Sequence, residues 1–403
     1  MEIGPIFRAM LRNKIGVCLI ALQIAFTMTV VVNAIYIINE RSSLMARPSG
    51  LDEASLFYLR SVGFQDGFSE EAAIVEDRAL LESLPGIVDM TVINAIPLSG
   101  SGSSTGARLV PDPASPYSEA ALYRVDEHAL ATMGLELIAG QNFNSTDVRQ
   151  IDWPNSSSPE RAIITSALAE ALFPGQGTES VGEIFYTGSD DPIQVVGLVD
   201  QLQAPWVQSA FVEQSMLVPA NIVDGQSLYL VRTEPGQVNA MMLRAEELLA
   251  DSNPARIIMS VRSLQETREE SYRLDSSMSR ILQVVIGTLV FITSMGIVGL
   301  AVFGINRRRK QIGTRRALGA TQLEIIRYFV TENLIISVVG VTLGALLTTG
   351  FNIFLVQAFN MPRIDWYYIP LGMLTLILVG FLAVLGPSRG ASRIPPALAT
   401  RSV

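Results

Sequence analysis

Four long runs of uncharged, mainly apolar residues divide the chain, and charged side chains return only between them. Each run reaches the roughly 20 residues that an α-helix needs to cross about 30 Å of hydrocarbon. Because unpaired backbone groups are costly in lipid, each run is expected to form a helix. The pattern therefore predicts four transmembrane helices, at residues 15–38, 281–305, 333–357 and 367–386.

The first run could instead be the core of a cleaved signal peptide, because three cations, Arg8, Arg12 and Lys14, precede it. Its apolar part exceeds the roughly 7–15 residues typical of signal peptides, and no clear A-x-A cleavage site follows. We therefore interpret 15–38 as a permanent anchor. Helical spacing of apolar residues within 1–14 predicts a cytoplasmic amphipathic helix on the membrane surface, although a plain overhang of the first span is the alternative.

The 39–280 segment between the first two spans mixes two kinds of hydrophobic pattern. Short runs rich in β-branched residues predict strands at 90–96, 193–199, 227–231 and 257–261. Helical spacing predicts helices at 70–84, 166–173 and 238–250, and helical stalks at 40–60 and 263–280. The predicted fold is an α-helical membrane protein with four transmembrane helices and a large α+β extracytoplasmic domain between the first and second.

Charge is distributed very unevenly along the chain, whose formal net charge is −9. Residues 41–279 contain 33 acidic residues and 14 arginines, whereas the N-terminus, the 306–332 segment and the 387–403 tail are basic. Short basic segments stay in the cytoplasm, so 39–280 and the short 358–366 turn are predicted to lie outside. An acidic chain without a basic face gives no reason to expect nucleic acid as a partner.

The 39–280 segment offers little catalytic or metal-binding chemistry. Its glycine-rich stretch SGSGSSTG, at 99–106, lacks the G-K-[ST] ending of a nucleotide-binding loop. His128 is the only histidine, so it is interpreted as a partly exposed surface residue rather than a zinc ligand or catalytic base. Cys18 is the only cysteine, which excludes an intrachain disulfide. We predict no catalytic, cofactor-binding or metal site.

The most informative stretch is 306–332, called the coupling segment below. It opens with four consecutive cations that are predicted to anchor at the phosphate layer, Arg307, Arg308, Arg309 and Lys310. A short helix should follow over 311–320 and be closed by Gly319. Thr321 and Glu324 have the spacing of a capping box for the next helix.

Several side chains of the coupling segment are expected to make contacts. Those predicted to be available to a partner are Ile312 and Leu318, for a protein, and Arg315 and Arg316, for acidic residues or lipid phosphate. For Glu332, at the inner edge of the third span, a local pair with Arg327 or a headgroup contact is preferred over a role as a switch. No span carries a charge near its middle, so no ion path is indicated.

The sequence of residues 308–333, RRKQIGTRRALGATQLEIIRYFVTEN, resembles a signature of the MacB-like and FtsX-like ABC transporter permeases. That signature is usually close to R-x-x-E-I-G-x-R-R-A-L-G-A. Weaker similarities follow in the family's order at 133–143, 167–176, 192–202 and 386–401, so the resemblance covers nearly the whole chain. One departure is Gln311, which stands where the family usually has Glu. The lost charge could alter the contact with an ATPase or mark a heterodimer.

The resemblance implies a permease subunit of an ABC transporter, with no catalytic activity and no directly bound cofactor. The family's coupling helix, which docks on the ATPase, corresponds here to Gln311, Ile312, Gly313, Arg315, Arg316, Ala317, Leu318, Gly319 and Ala320. The implied partners are an ATPase dimer carrying ATP and Mg, an identical or paralogous second permease, a periplasmic adaptor protein and membrane lipids. ATP-driven motion would then reach the periplasmic domain across the inner membrane, for efflux or envelope export.

Two other functions share part of this pattern. An FtsX-like regulator of a periplasmic cell-wall hydrolase would have a similar coupling segment, but its outer loop is expected to be smaller. A sensory receptor would also carry an outer domain, but no cytoplasmic signalling domain is recognisable in the sequence. Purification from native membranes separates the three, because each predicts different companions.

Overall fold

The computed structural model describes residues 14–65, 67–152, 159–188, 191–359 and 363–394. The predicted helix at 1–14 lies outside these ranges except for Lys14, and the predicted tail is described only to residue 394. The chain divides into two compact units. The central unit is Arg47–Leu274, and the helical unit comprises the segments that flank it.

In chain order, the elements of the described residues are as follows. The first half contains α1 (Lys14–Met45), β1 (Leu56–Gly63), α2 (Glu70–Glu82), β2 (Ile87–Val92), β3 (Ser103–Ala107), β4 (Ser118–Val125), α3 (Ala129–Met133), β5 (Leu137–Gly140), β6 (Arg149–Asp152), β7 (Arg161–Thr165), α4 (Ser166–Leu172), β8 (Ile184–Tyr186) and β9 (Pro192–Val199). The second half contains β10 (Ser215–Val223), β11 (Gln226–Thr233), α5 (Val238–Ser252), β12 (Arg256–Ser263), α6 (Leu264–Ser271), α7 (Arg273–Arg307), α8 (Arg309–Ala317), α9 (Gln322–Phe359) and α10 (Tyr368–Ser392).

Four helices of the described residues, α1, α7, α9 and α10, are long and apolar enough to cross a membrane. The prediction of four spans is therefore confirmed. Close packing of α9 on α1 depends on small residues, as is usual for helices in lipid. A Cβ atom placed on Gly340 would lie 2.8 Å from the Ile24 Cβ, and one on Gly344 would lie 2.8 Å from the Met28 Cβ.

Hydrogen bonds between buried polar side chains also join the helices. Thr27 Oγ1 and Thr293 Oγ1 are 2.7 Å apart and link α1 to α7. The side-chain amide of Asn333 donates to the Gly380 carbonyl oxygen at 2.9 Å, which links α9 to α10. Such bonds satisfy polar groups that cannot bond to water in hydrocarbon.

Both α1 and α7 extend beyond the predicted spans, and Arg41 near the end of α1 forms an ion pair with Asp275 near the start of α7. The prediction of a helical stalk over 40–60 is correct only as far as Met45. Residues 56–63 form strand β1 instead, because their backbone pairs with two neighbouring strands.

The central unit contains two β-sheets with helices packed against them. One sheet has the order β12-β1-β11-β2, and its strand pairs are antiparallel. The other has the order β3-β4-β10-β7-β9-β5, with β6 added to β10 and β8 added to β9, and it mixes parallel and antiparallel pairs. The α+β domain predicted between the first and second spans is confirmed.

Most predicted elements of this unit match to within a few residues, but two differ. Residues 93–96 were predicted to continue a strand that ends at Val92. The glycine-rich stretch at 99–106, whose composition is typical of a loop, overlaps strand β3, Ser103–Ala107, which pairs antiparallel with β4. Gly106 and Ala107 have low strand propensity, so pairing with a neighbour decides the conformation of this segment.

A largely buried polar network fixes the first sheet to helices α2 and α5. The Tyr229 hydroxyl donates to Asp77 Oδ2 at 2.7 Å, and Arg256 forms an ion pair with the same carboxylate. Arg256 also donates to the Leu249 carbonyl oxygen at 2.9 Å and to the Ser252 hydroxyl at 2.7 Å. Burial and the neighbouring Asp77 raise the pKa of Tyr229, so its hydroxyl keeps the proton that it donates.

Candidate functional site

The coupling segment lies between two long helices and is itself a helical hairpin. Helix α7 ends at Arg307, the short helix α8 runs over Arg309–Ala317, and α9 begins at Gln322. Of the four cations at its start, Arg307, Arg309 and Lys310 are exposed, whereas Arg308 is half-buried. Three of them are thus free to reach a headgroup layer, and their anchoring role stays a prediction. The fourth, Arg308, has a protein partner.

The end of α8 is closed by a turn that requires glycine. Gly319 has a φ of +97°, in the left-handed region that side chains with a Cβ rarely adopt. The Ala320 N–H donates to the Arg315 carbonyl oxygen at 3.0 Å, and the Gly319 N–H donates to the Arg316 carbonyl oxygen at 3.2 Å. This pair of bonds is a Schellman motif, so the predicted glycine cap is confirmed.

The next helix starts immediately afterwards with a capping box. The Thr321 N–H donates to Glu324 Oε2 at 2.8 Å, and the Glu324 N–H donates to the Thr321 hydroxyl at 3.3 Å. Both predicted bonds are therefore present. Since the glycine turn and this box are adjacent, the two helices are joined by a short connection whose backbone groups are largely satisfied.

The inner face of the hairpin is apolar. Ile312 is only 6% exposed and packs in a buried cluster whose other members are Ile305, Ile325, Phe329, Ala391 and Ile394. The prediction that Ile312 is available to a partner is therefore wrong. Ile312 therefore faces this cluster of the helical unit, and its burial there stabilises the position of the coupling segment.

The outer face of the hairpin carries the exposed residues. Leu318 is 84% exposed and Leu323 is 73% exposed, and they lie on either side of the Gly319 turn. Gln311 and Ala317 are also exposed on α8. Leu318 therefore remains available to a partner, as predicted, and the turn presents an apolar tip.

Charged residues lock the base of the hairpin to α9. Arg308 donates to both carboxylate oxygens of Glu332, at 2.9 and 3.1 Å, and to the Tyr328 hydroxyl at 3.2 Å. The guanidinium of Arg315 lies over the ring of Tyr328, 5.3 Å from its centre. The predicted pair of Glu332 with Arg327 is thus replaced by a pair with Arg308. Residues five apart on a helix point in different directions, whereas α8 starts beside Glu332.

Arg316, the second arginine of the predicted pair, is half-buried and donates to the Ala320 carbonyl oxygen at 3.4 Å. A cavity of about 260 Å³ lies between the two arms of the hairpin. Its lining includes Arg308, Gln311, Arg315 and Glu324. The segment thus combines an apolar tip with a groove that has apolar walls and two arginines, which are features of a protein-docking surface.

The central unit contains one cluster that sequence reasoning missed. Ligand atoms of Glu82, Asp89 and His128 lie within 4.8 Å of one another, and His128 Nδ1 is 2.9 Å from Asp89 Oδ1. Arg78 lies within 4.0 Å of Glu82 and of Asp89 and 2.6 Å from Asp126, so a guanidinium already pairs with these carboxylates. His128 is partly exposed, as predicted, but it has an acidic partner.

Two protein-family models match the chain. Residues 15–250 match the family model described as MacB-like periplasmic core domain, and residues 284–396 match the model described as FtsX-like permease C-terminal. The chain belongs to this family of ABC transporter permeases. It is therefore a multi-pass membrane protein whose large domain is extracytoplasmic.

Individual relatives are distant. An uncharacterized ABC transporter permease, YknZ of Bacillus subtilis (strain 168), is 20% identical over 292 residues, which cover 70% of each chain. The macrolide export ATP-binding/permease protein MacB of Bartonella henselae is 26% identical over 294 residues. That match covers 68% of this chain but 41% of MacB, so the chain spans about two fifths of the length of this relative.

Solved structures of extracytoplasmic domains are also similar. The extracellular domain of YknZ from Gram-positive bacteria covers 50% of this chain at 18% identity, with a TM-score of 0.31, and 100% of that structure is matched. The periplasmic region of MacB from Actinobacillus actinomycetemcomitans covers 57% at 16% identity, with a TM-score of 0.34 and 97% of that structure matched. The family assignment rests on the two family models.

Proposed function

We propose that this chain is a non-catalytic permease subunit that passes ATP-driven motion from a separate ATPase to its extracytoplasmic domain, for efflux or envelope export. The observation that carries the proposal is the doubly capped hairpin of the coupling segment. A force applied to α8 reaches α9 only if the turn between the two helices resists bending. The Schellman turn at Gly319 and the capping box at Thr321 supply that resistance.

The buried and exposed faces of the hairpin have separate parts in this proposal. Ile312 and the pair of Arg308 with Glu332 hold the hairpin to the helical unit. Leu318 and the groove beside Arg315 are the surface on which the ATPase docks. A contact on the exposed tip then moves α9, a single helix that runs on to Phe359.

The partners follow from the same proposal. ATP and Mg bind to the ATPase dimer and not to this chain. A second permease, identical or paralogous, completes the membrane part, and a periplasmic adaptor joins it to the rest of an export pathway. Arg307, Arg309 and Lys310 contact lipid headgroups of the cytoplasmic membrane, where a basic side chain contributes about 1 kcal/mol on an anionic surface.

The sharpest test replaces the exposed apolar tip with a charge. Leu318→Asp removes an apolar anchor from the docking surface without disturbing the core, because the side chain is 84% exposed. Loss of such an anchor is expected to weaken ATPase binding about tenfold or more. Copurification of the ATPase with the full chain, and ATP hydrolysis by the complex in lipid nanodiscs, measure the effect.

A matched control is Leu243→Asp, the same substitution at a side chain of the central unit that is 70% exposed. It should leave ATPase binding and hydrolysis unchanged. Equal behaviour of both variants and the wild type would argue against docking at this tip. The proteins that copurify also separate export from regulation, since an adaptor favours export and a cell-wall hydrolase favours the FtsX-like regulator.

A further inference from the structure

A polar cleft of about 160 Å³ opens in the central unit where the two sheets diverge. Strand β10 belongs to one sheet and β11 to the other, and the turn between them is Asp224–Gly225. On the opposite side, the Arg124 N–H donates to Asn94 Oδ1 at 2.7 Å and joins β4 to the residues after β2. The cleft is therefore walled by strands of both sheets.

The wall at the turn is held in place by a buried carboxylate. Glu70 accepts hydrogen bonds from the Asp224 N–H at 3.0 Å, the Gly225 N–H at 2.7 Å and the Ser227 hydroxyl at 2.8 Å. Glu70 is only 4% exposed. Three bonds to one shielded carboxylate fix the turn strongly, so the cleft has a defined shape before any ligand enters.

Arg124 lines the cleft with a charge that forms no ion pair within the described residues. Its side chain is half-buried, and no carboxylate within the described ranges forms an ion pair with it. Burial lowers the pKa of Arg124, which records the cost of shielding its charge from water. A shielded guanidinium without a partner is unfavourable, and an anion in the cleft would relieve that cost.

Two further groups in the cleft have unused bonding capacity. Arg60 donates only to Gln226 Oε1, at 3.3 Å, and no carboxylate in the described part of the chain pairs with it. Asn221 is 7% exposed, and its side-chain oxygen has no hydrogen bond within the described structure. Because an amide can turn over, Asn221 can offer an N–H or an oxygen to a bound molecule.

Size and charge limit what can bind. The volume corresponds to about five water molecules at roughly 30 Å³ each, well below the roughly 300 Å³ at which drug-sized sites begin. Two arginines and Asp224 leave a net charge of +1, which suits a monoanion better than a dianion. The planar fork of an arginine matches a carboxylate with two parallel hydrogen bonds.

We propose that this cleft binds a carboxylate, either of a free amino acid or at the C-terminus of a peptide, with Arg124 and Arg60 as its cationic partners. The extracytoplasmic domain then has a small-ligand site besides any surface for cargo or adaptor. This inference does not depend on docking at the coupling segment.

The test uses the full chain in lipid nanodiscs and saturation-transfer NMR. The probes are alanine, trialanine and trialanine amide, each titrated to about 10 mM, and inorganic phosphate, whose binding is measured by its displacement of trialanine. Binding of alanine identifies a free amino acid as the source of the carboxylate, whereas binding of trialanine but not its amide identifies a peptide C-terminus. Either result supports the proposal.

Three variants assign the signal to the cleft. Arg124→Lys keeps the charge but loses the fork, and Arg60→Gln removes an exposed cation, so each should weaken binding about tenfold. Arg244→Gln changes an exposed arginine on α5, outside the cleft, and should bind as the wild type does. Far-ultraviolet circular dichroism checks that each variant is folded.

Three results would overturn the proposal. The first is no saturation transfer to any carboxylate probe at about 10 mM. The second is equal binding by Arg60→Gln, Arg124→Lys and the wild type. The third is binding of phosphate or the amide as strong as that of trialanine. The last result would show an anion site or a peptide site without carboxylate selectivity.

Discussion

The central unit and the helical unit each contain an arginine–carboxylate pair, but the two pairs are held very differently. Arg256 and Asp77 have side chains that are each 1% exposed, and Tyr229 completes the network. Arg308 and Glu332 are 21% and 16% exposed and lie at the base of the coupling segment. The first pair lies in a domain core. The second, called the Arg308–Glu332 joint below, connects the start of the hairpin to α9.

This difference indicates which of the two ion pairs opens more easily. Breaking a shielded pair leaves an uncompensated charge and costs about 3–5 kcal/mol, so the Arg256–Asp77 network should keep the central unit in one shape. A partly exposed pair such as Arg308–Glu332 contributes nearer to 1 kcal/mol, and water can replace part of it. If the chain passes on ATP-driven motion as proposed, we expect that motion to open the Arg308–Glu332 pair first and to leave the fold of the central unit intact.

The largest expected effect comes from Asp77→Asn. This substitution leaves the buried Arg256 charge without its partner, and the free energy of opening the first sheet should fall by about 3–5 kcal/mol. Hydrogen exchange of the β11 backbone amides in the full chain measures that change. If the β11 amides of the variant are as protected from exchange as those of the wild type, this network does not stabilise the first sheet.

Two controls sharpen the result. Asp251→Asn changes an exposed carboxylate on α5 and should leave β11 protection within about 0.5 kcal/mol of the wild type. The triple variant Asp77→Leu, Arg256→Met, Tyr229→Phe removes all three polar groups together. It should recover much of the lost protection, because no buried charge remains unpaired.

A second, smaller effect tests the packing of α9 on α1. Gly344→Leu would place side-chain atoms where a Cβ already lies 2.8 Å from Met28, so we expect a loss of about 1–3 kcal/mol and a lower midpoint of thermal unfolding in detergent. Gly350→Leu is the control on the same helix, since nothing lies within 4 Å of a Cβ there. If both variants unfold at the same temperature, the close contact of these helices is not needed.

The two regions also differ in how far the sequence could predict them. The caps at Gly319 and Thr321 depend on residues only a few positions apart, so local spacing was enough to predict both. The burial of Ile312 depends on Ala391 and Ile394, which lie far along the chain. No local pattern reports such a contact, so the sequence alone predicts that Ile312 is available to a partner.

Long-range pairing explains the other misses. For Glu332 the sequence suggests a local pair with Arg327 or a headgroup contact, but its partner is Arg308, at the start of the hairpin. The cleft beside Arg124 is assembled from five strands, and its arginines look like ordinary surface residues in the sequence. What distinguishes these arginines is that, in the folded protein, they line a cleft and form no ion pair within the described residues.

The smallest expected effect decides whether the joint acts as a contact that can open. Arg308→Gln, Glu332→Gln and the double variant form a double-mutant cycle, and the expected coupling energy is about 1 kcal/mol. Hydrogen exchange of the α8 amides measures it, because opening the pair should release Arg309–Ala317 before α9. A coupling near zero would mean that burial of Ile312 alone holds the hairpin. A coupling near that of the Arg256–Asp77 network would make the joint as fixed as the domain core, and motion would then have to begin elsewhere.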